Sequence, residues 1–350
     1  MSLKNLLDTP LPKWEGLLVA LGQPAFRARQ LRNWVFHTSA TDFPQMTNLP
    51  LALRERLQES FRLESLTVIR VATSHDGKAQ KVLFLLHDGK SIESVLLSYE
   101  NRLSICISTQ VGCAIGCPFC ATGQQGFERE LSVAEIVDQV LYFSRRLGEG
   151  KSINNVVFMG MGEPLANFDN TWGAVEMLNS EDGFGLGARH ITISTVGLVP
   201  QIKELSQKPL QVGLAISLHA ADDTLRNELA PINRQFPLKE LISACKEYKA
   251  KTGRRVTFEY VLFDGINDDV KQARQLAHLL KNMDALVNLI PANTSENHRF
   301  KVPTLEKMSA FREELERLKV KATLRAKRGT DITAGCGQLR SRDMALMNKR

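Results

Sequence analysis

Three cysteines, Cys113, Cys117 and Cys120, stand at x3-x2 spacing in the segment Cys106-Ile-Ser-Thr-Gln-Val-Gly-Cys-Ala-Ile-Gly-Cys-Pro-Phe-Cys120. Thiolates are soft ligands suited to zinc or to iron–sulfur clusters. Three at this spacing can take three corners of a cubane cluster and leave the fourth iron open, which implies chemistry at the cluster and not only electron storage. A closed zinc site needs a fourth ligand. The nearest later histidine is His190, and Cys106 upstream is the other candidate. Of the remaining thiols, Cys245 lies in a helix-like run, Leu-Ile-Ser-Ala-Cys-Lys, and reads as buried and inert. Cys336 lies between glycines in a flexible setting, where its reactivity depends on exposure and pKa.

Other polar groups gather where strands end. Gly160-Met161-Gly162-Glu163-Pro164 follows an apolar run. It is too short for a phosphate loop and lacks the Lys-Ser/Thr ending. Its glycines allow a ligand to approach the backbone closely. Ser194, the trio Ser217, Leu218 and His219, and Asn293 each close or follow a strand-like run. A lone His219 is ordinarily a structural hydrogen-bonding residue, and Glu93 alone is a polar residue on an edge-like strand.

The positioning elements are expected to alternate. Candidate strands span 103–108, 155–160, 190–195, 213–218, 255–261 and 286–291, with helical stretches between them. Ser132 and Glu135 can form a capping box before the Ile136, Val137 and Val140 stripe. Further helices are expected over 269–280 and 304–318, the latter with Leu305, Met308, Phe311, Leu315 and Leu318 on one side. Six βα repeats with right-handed crossovers make an α/β fold, either an incomplete barrel or an open doubly wound sheet. Both place ligand groups at the carboxyl ends of the strands. Upstream, Asp76-Gly77 and Asp88-Gly89 separate apolar runs at 67–72, 81–86 and 91–97, a meander signature. Residues 1–64 read as helical. Pro24 opens a helix with Phe26, Leu31, Trp34 and Val35 on its apolar side and Arg27, Arg29 and Arg32 on its polar part, and 51–61 is a second helix. The expected division is 1–64, 65–100 and 101–350.

Composition narrows the class. A chain of 350 residues with 43% hydrophobic content can bury one large core and carry a small accessory domain. No run approaches the 18 or so apolar residues of a membrane span, and the N-terminus lacks a signal-peptide pattern, so a cytoplasmic location is the expectation. Six cysteines, four of them between 106 and 120, suit metal ligation in a reducing compartment better than a disulfide framework. The net charge of +7 is carried by residues 319–350, with nine Lys or Arg against two acids, so a polyanion such as RNA is the expected partner.

The motifs in combination resemble the dual-specificity radical S-adenosylmethionine (SAM) RNA methyltransferases, which methylate adenine C2 in 23S rRNA and in certain tRNAs. The resemblance covers nearly the whole chain. It rests on Ile92-Glu93, Cys106, Gln110-Val111-Gly112-Cys113, Phe119-Cys120-Ala-Thr-Gly, Gly126-Phe127, Gly160-Met-Gly-Glu-Pro164, Ser217-Leu-His219 and Cys336-Gly-Gln-Leu339. CxxxCxxC alone marks only the superfamily; its pairing with a late Cys-Gly-Gln-Leu is far more specific.

The resemblance implies a radical SAM incomplete (β/α)6 barrel with a small N-terminal helical domain and a short antiparallel β extension. It makes Cys113, Cys117 and Cys120 the ligands of a [4Fe-4S] cluster whose open iron holds SAM, with Phe119 shielding the cluster or contacting adenine. Gly162 and Glu163 would contact the SAM amino group, and Ser194, Ser217, Leu218, His219 and Asn293 its remaining polar groups and adenine. Cys336 would carry the methyl group, Cys106 would resolve the protein–RNA adduct through a transient disulfide with Cys336, and Glu93 would accept the ring proton, a role that Cys106 contests. Relatives often have two alanines before the carrier cysteine where this chain has Ala334-Gly335, which would loosen the loop.

Such a route suits adenine C2, whose C–H bond is not acidic enough for ordinary polar methylation. Two SAM molecules per turnover are implied, one to methylate Cys336 and one to generate the radical that activates the S-methyl group. Adenine 37 is the implied tRNA target. With no flavin motif or second cysteine cluster, an external one-electron reductant such as flavodoxin or ferredoxin is needed. A monomer acting away from membranes is expected. Two alternatives remain open at this point: methylation of adenine C8 by the same motifs, and a zinc-bound structural RNA adaptor without catalysis.

Overall fold

The computed structural model of the chain describes residues 3–340 apart from 39, 149 and 294–298. The end of the basic tail, beyond Arg340, therefore lies outside the described residues. Ten strands form one continuous sheet. Seven are parallel: Arg102–Cys106, Asn155–Phe158, Ile191–Thr195, Gly213–Ser217, Val256–Leu262, Leu286–Pro291 and Lys321–Leu324 lie side by side in chain order. The first six are the expected barrel strands. The seventh was not expected: Lys321–Leu324 is short and opens a basic stretch, so its apolar signal is weak, yet it pairs in register with Leu286–Leu289.

The meander is present as Leu66–Thr73, Ala79–Leu86 and Ser91–Tyr99, antiparallel throughout, with Gly77 and Gly89 at positive φ in the turns. It joins the barrel directly, because Ser91–Tyr99 pairs with Arg102–Cys106. Glu93 therefore lies on an interior strand and is buried; the edge on that side of the sheet is Leu66–Thr73. Strands buried on both faces read as apolar runs, and Val156, Ile193, Leu214, Ile216, Phe258, Val287 and Leu289 are all fully or almost fully buried.

The helices behave as their caps dictate. Ser132 and Glu135 form the capping box of Val133–Ser144, Asp269 and Gln272 cap Val270–Leu279, and Thr304 caps Leu305–Arg317. Leu305 departs from the expected stripe: it is 73% exposed in the first turn, while Met308, Phe311 and Leu315 face the core. Phe26 likewise lies outside the helix Arg27–Phe36 and is exposed.

The N-terminal helices share the barrel's core. Leu6, Trp14, Leu31, Phe43 and Leu57 belong to the same contiguous apolar cluster as the barrel strands. Polar latches add direction. Arg32, expected on the surface, is buried and donates to the Leu11 carbonyl at 2.9 Å and to Asp182 at 3.1 Å. Asp8 accepts from the amide of Ala134 at 3.0 Å, at the positive end of the helix Val133–Ser144. Among the described residues, no helix is long and apolar enough to cross a membrane.

Candidate active site

The three clustered cysteines sit on a loop closed at its neck by two short antiparallel strands, Gln110–Gly112 and Phe127–Glu130. The amide of Cys113 donates to Gly126 O at 2.9 Å, and that of Cys120 to Cys117 O at 3.1 Å. All three thiols are half-buried, unbonded and line one cavity at the carboxyl ends of the strands. Burial pushes Cys113 up to about 12 and Cys117 well above its usual value, and the neighbouring thiols and Glu163 push in the same direction. Anions crowded into a desolvated loop need a positive partner, which an iron–sulfur core supplies by deprotonating and binding them. The residues present fit such a cluster. Among the described residues, no three His, Cys, Asp or Glu side chains gather as the ligands of a single metal ion would. A cubane, which gives each thiolate its own iron, does not require that.

The wall opposite the loop is built from strand ends. Gly162 has φ +99° and packs its backbone onto Gln110, so a side chain there would be strained and obstructed. Glu163 is buried: its carboxylate accepts from the amides of Leu165 (3.0 Å) and Val196 (2.8 Å), and burial still raises its pKa to about 7. Ser194, Ser217 and Asn293 line the same cavity. His219 does too, in a left-handed backbone conformation (φ 62°). Its Nδ1 accepts from the Val261 amide at 3.1 Å, and burial, then the charge of Arg226, depresses its pKa to about 3. It is therefore a neutral imidazole with its proton on Nε2. Phe119 meets His219 edge-on at 5.0 Å and packs with Phe263 and Phe300, forming an apolar flank beside the cysteine loop.

Cys336 closes the cavity from the C-terminal side. Residues 329–340 contain no regular helix or strand and are clasped at several points. Gly337 O accepts from the Ala121 amide at 2.7 Å, Leu339 O from Thr122 Oγ1 at 2.6 Å, and Cys336 O from Asn293 Nδ2 at 3.1 Å. Gly335 serves close approach rather than looseness, since an added Cβ would collide with the Asn293 amide. Beyond Cys336 lies a second cavity lined by Cys106, Tyr99, Arg325, Lys327 and Arg328. Among the described residues, the two cavities share only Met159, Ile290, Asn293 and Cys336. Cys336 is a partition between them.

Similarity to known proteins matches this architecture. Residues 107–277 match the model of the radical SAM superfamily, and residues 4–63 that of the ribosomal RNA large subunit methyltransferase N-terminal domain. A radical SAM methyltransferase from Sphaerobacter thermophilus, known by its crystal structure, superposes with a TM-score of 0.94 at 47% identity over 96% of this chain and 99% of that one. A dual-specificity RNA methyltransferase RlmN from Syntrophobacter fumaroxidans is 45% identical over 95% of this chain and 96% of its own length. The chain belongs to the RlmN family of radical SAM RNA methyltransferases.

Most of the residues that the family resemblance singles out come together in the two cavities, with two exceptions. Leu218 is fully buried and lines neither cavity; its carbonyl accepts from Arg226 at 3.2 Å. Glu93 lines neither cavity; its carboxylate pairs with Lys81 at 3.0 Å and accepts from the Arg340 amide at 3.1 Å. All six cysteines are free, so the Cys106–Cys336 disulfide is not formed here.

Several supporting residues escaped sequence reasoning. Arg226, wholly buried, donates to Val196 O (2.6 Å), Leu218 O (3.2 Å) and Asn233 Oδ1 (2.8 Å), tying together the ends of two strands. Asn267 holds the His219 and Val261 carbonyls at 2.8 and 2.7 Å and so fixes the strained turn. Lys81 bonds both Glu93 and the Thr333 carbonyl (3.1 Å). In the sequence Arg226 and Asn267 sit in polar stretches and Lys81 opens an apolar run, so none of the three stands out.

Proposed function

We propose that the chain methylates C2 of an adenine in 23S rRNA and of adenine 37 in tRNAs, through S-methylated Cys336 and with two SAM molecules per turnover. The observation that carries this reading is the position of Cys336, with the three ligand thiols on one side and Cys106 on the other. A methyl group taken up from one compartment is already at the wall of the next. Cys113, Cys117 and Cys120 hold the cluster, which when bound supplies the electron that cleaves SAM.

The chain's own residues bind, orient and exclude. Gly162 and Glu163 receive the SAM amino group, Ser194, Ser217 and Asn293 its other polar groups, and neutral His219 offers an Nε2–H donor without adding charge. Phe119, Phe263 and Phe300 keep water from the reacting side. The target base enters the outer cavity, where the guanidinium groups of Arg102 (4.5 Å) and Arg328 (4.4 Å) lie over the Tyr99 ring, a surface suited to stacked bases and phosphates. Cys106 releases the product from Cys336. Glu93 accepts the ring proton once the Arg340 amide has moved from it. Residues 1–64 dock the RNA, 65–100 form the β extension and 101–350 the catalytic core; the protein acts as a cytoplasmic monomer with flavodoxin or ferredoxin as reductant.

The test is anaerobic reconstitution with SAM, dithionite and an unmodified 23S rRNA fragment, followed by mass spectrometry of the nucleosides. The expected product is 2-methyladenosine. Formation of 8-methyladenosine would overturn the regiochemistry, and an iron-loaded protein that modifies neither position on rRNA or tRNA would overturn the substrate.

A further inference from the structure

We propose that Arg325 is a catalytic residue, the cation that holds Cys336 as the thiolate needed to capture a methyl group. Arg325 is the first residue beyond the unexpected seventh strand, Lys321–Leu324, and its amide is fastened to Leu289 O at 2.8 Å. Its Nη1 donates to Cys336 Sγ at 3.8 Å, within the range of a hydrogen bond to sulfur. A guanidinium at this distance favours the ionised thiol.

A row of side chains on adjacent strands leads to the strand that ends just before Arg325. Glu259, Asn288 and Thr323 occupy paired positions on adjacent strands. Thr323 Oγ1 donates to Asn288 Oδ1 at 2.6 Å, and Asn288 Nδ2 donates to Glu259 Oε1 at 2.9 Å. The second carboxylate oxygen, Oε2, is buried in the cavity wall with no hydrogen-bond partner. The charge of Arg325 acts on Glu259 against the effect of burial. Arg325 in turn is kept firmly protonated, by Cys336 first and by Glu259, Tyr99 and Cys106 more weakly. Lys327 and Arg328 are the other charged groups facing this cavity.

This inference rests on reading Cys336 as the methyl carrier. The thiol proton leaves to solvent. The thiolate lone pair then forms the new S–C bond as the sulfonium C–S bond breaks, and that bond's electron pair stays on the departing thioether. Two opposite charges become two neutral sulfurs. Arg325 then loses its anion at Cys336 and keeps the weaker attraction of Glu259.

The experiment follows alkylation of Cys336 by iodoacetamide against pH, read at that peptide by mass spectrometry. It uses the full-length chain produced under iron limitation, so that the thiol is unmodified. In Arg325→Gln the alkylation midpoint is expected to rise by about one pH unit or more, a tenfold loss of thiolate at neutral pH. Arg325→Lys, which keeps the charge, should restore most of it. Glu259→Gln should not raise the midpoint. An unchanged midpoint in Arg325→Gln, or an equal rise in Glu259→Gln, overturns the assignment. In the reconstituted enzyme, Arg325→Gln should slow S-methylation of Cys336 about tenfold at pH 7 and less at pH 9, where hydroxide makes the thiolate unaided. A reconstituted wild type that never carries a methyl group on Cys336 would refute the carrier reading instead.

Discussion

The two walls of the cleft are made differently. The wall formed by strand ends is backed by a fully packed sheet, and its polar groups are fixed by buried partners such as Arg226 and Asn267. The facing wall, residues 329–340, has no regular structure and is held by separate clasps to Ala121, Thr122, Asn293, Lys81 and Glu93. Dispersed clasps cost little to undo one at a time, whereas a packed strand end does not open alone. A fixed wall suits a ligand that must be aimed; a clasped one suits a residue that must serve two compartments.

The largest test of this contrast is to remove a thiol from each wall. Replacing Cys113, Cys117 or Cys120 by Ala should abolish cluster absorbance and SAM cleavage together. Cys336→Ala should abolish methyl transfer while the iron content and cluster absorbance stay at wild-type values. If Cys336→Ala also lost the cluster, the walls would not be separable.

Next comes the buried ion pair that ties the clasped wall to the meander. Lys81 and Glu93 are both almost wholly buried. Lys81→Met leaves Glu93 without its counter-charge and should destabilise the protein by about 3 kcal/mol. Hydrogen exchange should quicken over residues 329–340 and not in the strands Gly213–Ser217 and Val256–Leu262. A uniform increase would show that the clasp is only part of the global fold.

His219 tests the fixed wall through pH. Its folded pKa is about 3 against 6.5 for the unfolded chain, so below pH 6.5 only the unfolded state takes up the proton. Its contribution to stability is complete above pH 6.5 and is lost as the pH falls toward 3. His219→Asn should therefore flatten the acid limb of a urea-denaturation profile by up to about 1.4 kcal/mol per pH unit. Identical slopes would mean that His219 is accessible to protons in the native state.

The smallest effect is expected at one clasp. Thr122→Val removes the hydroxyl bonded to Leu339 O and should cost about 1 kcal/mol, with faster exchange confined to the last described residues.

Much of this was legible in the sequence for physical reasons. Strands buried on both faces must be apolar runs, so the six barrel strands stood out, and the Asp-Gly turns and the Ser132–Glu135 box marked their own boundaries. The three clustered thiols were legible because their spacing is local. Buried charge was not. Arg32 finds Asp182 and Leu11, Lys81 finds Glu93 and Thr333, and Arg325 finds Cys336, partners that only the folded chain brings together. A charged residue reads as solvent-facing until its partner is known. The strand Lys321–Leu324 was hidden for the same reason, being one edge of the sheet and half polar.

The partition at Cys336 has a consequence for how such an enzyme can diversify. Because the two cavities have only four lining residues in common among those described, the proposed function predicts that substitutions around Tyr99, Lys327 and Arg328 retune the choice of nucleotide while the donor side stays intact. The reverse holds as well. The chain is modular at the scale of a single side chain, and Met159, Ile290, Asn293 and Cys336 are where the two histories must agree.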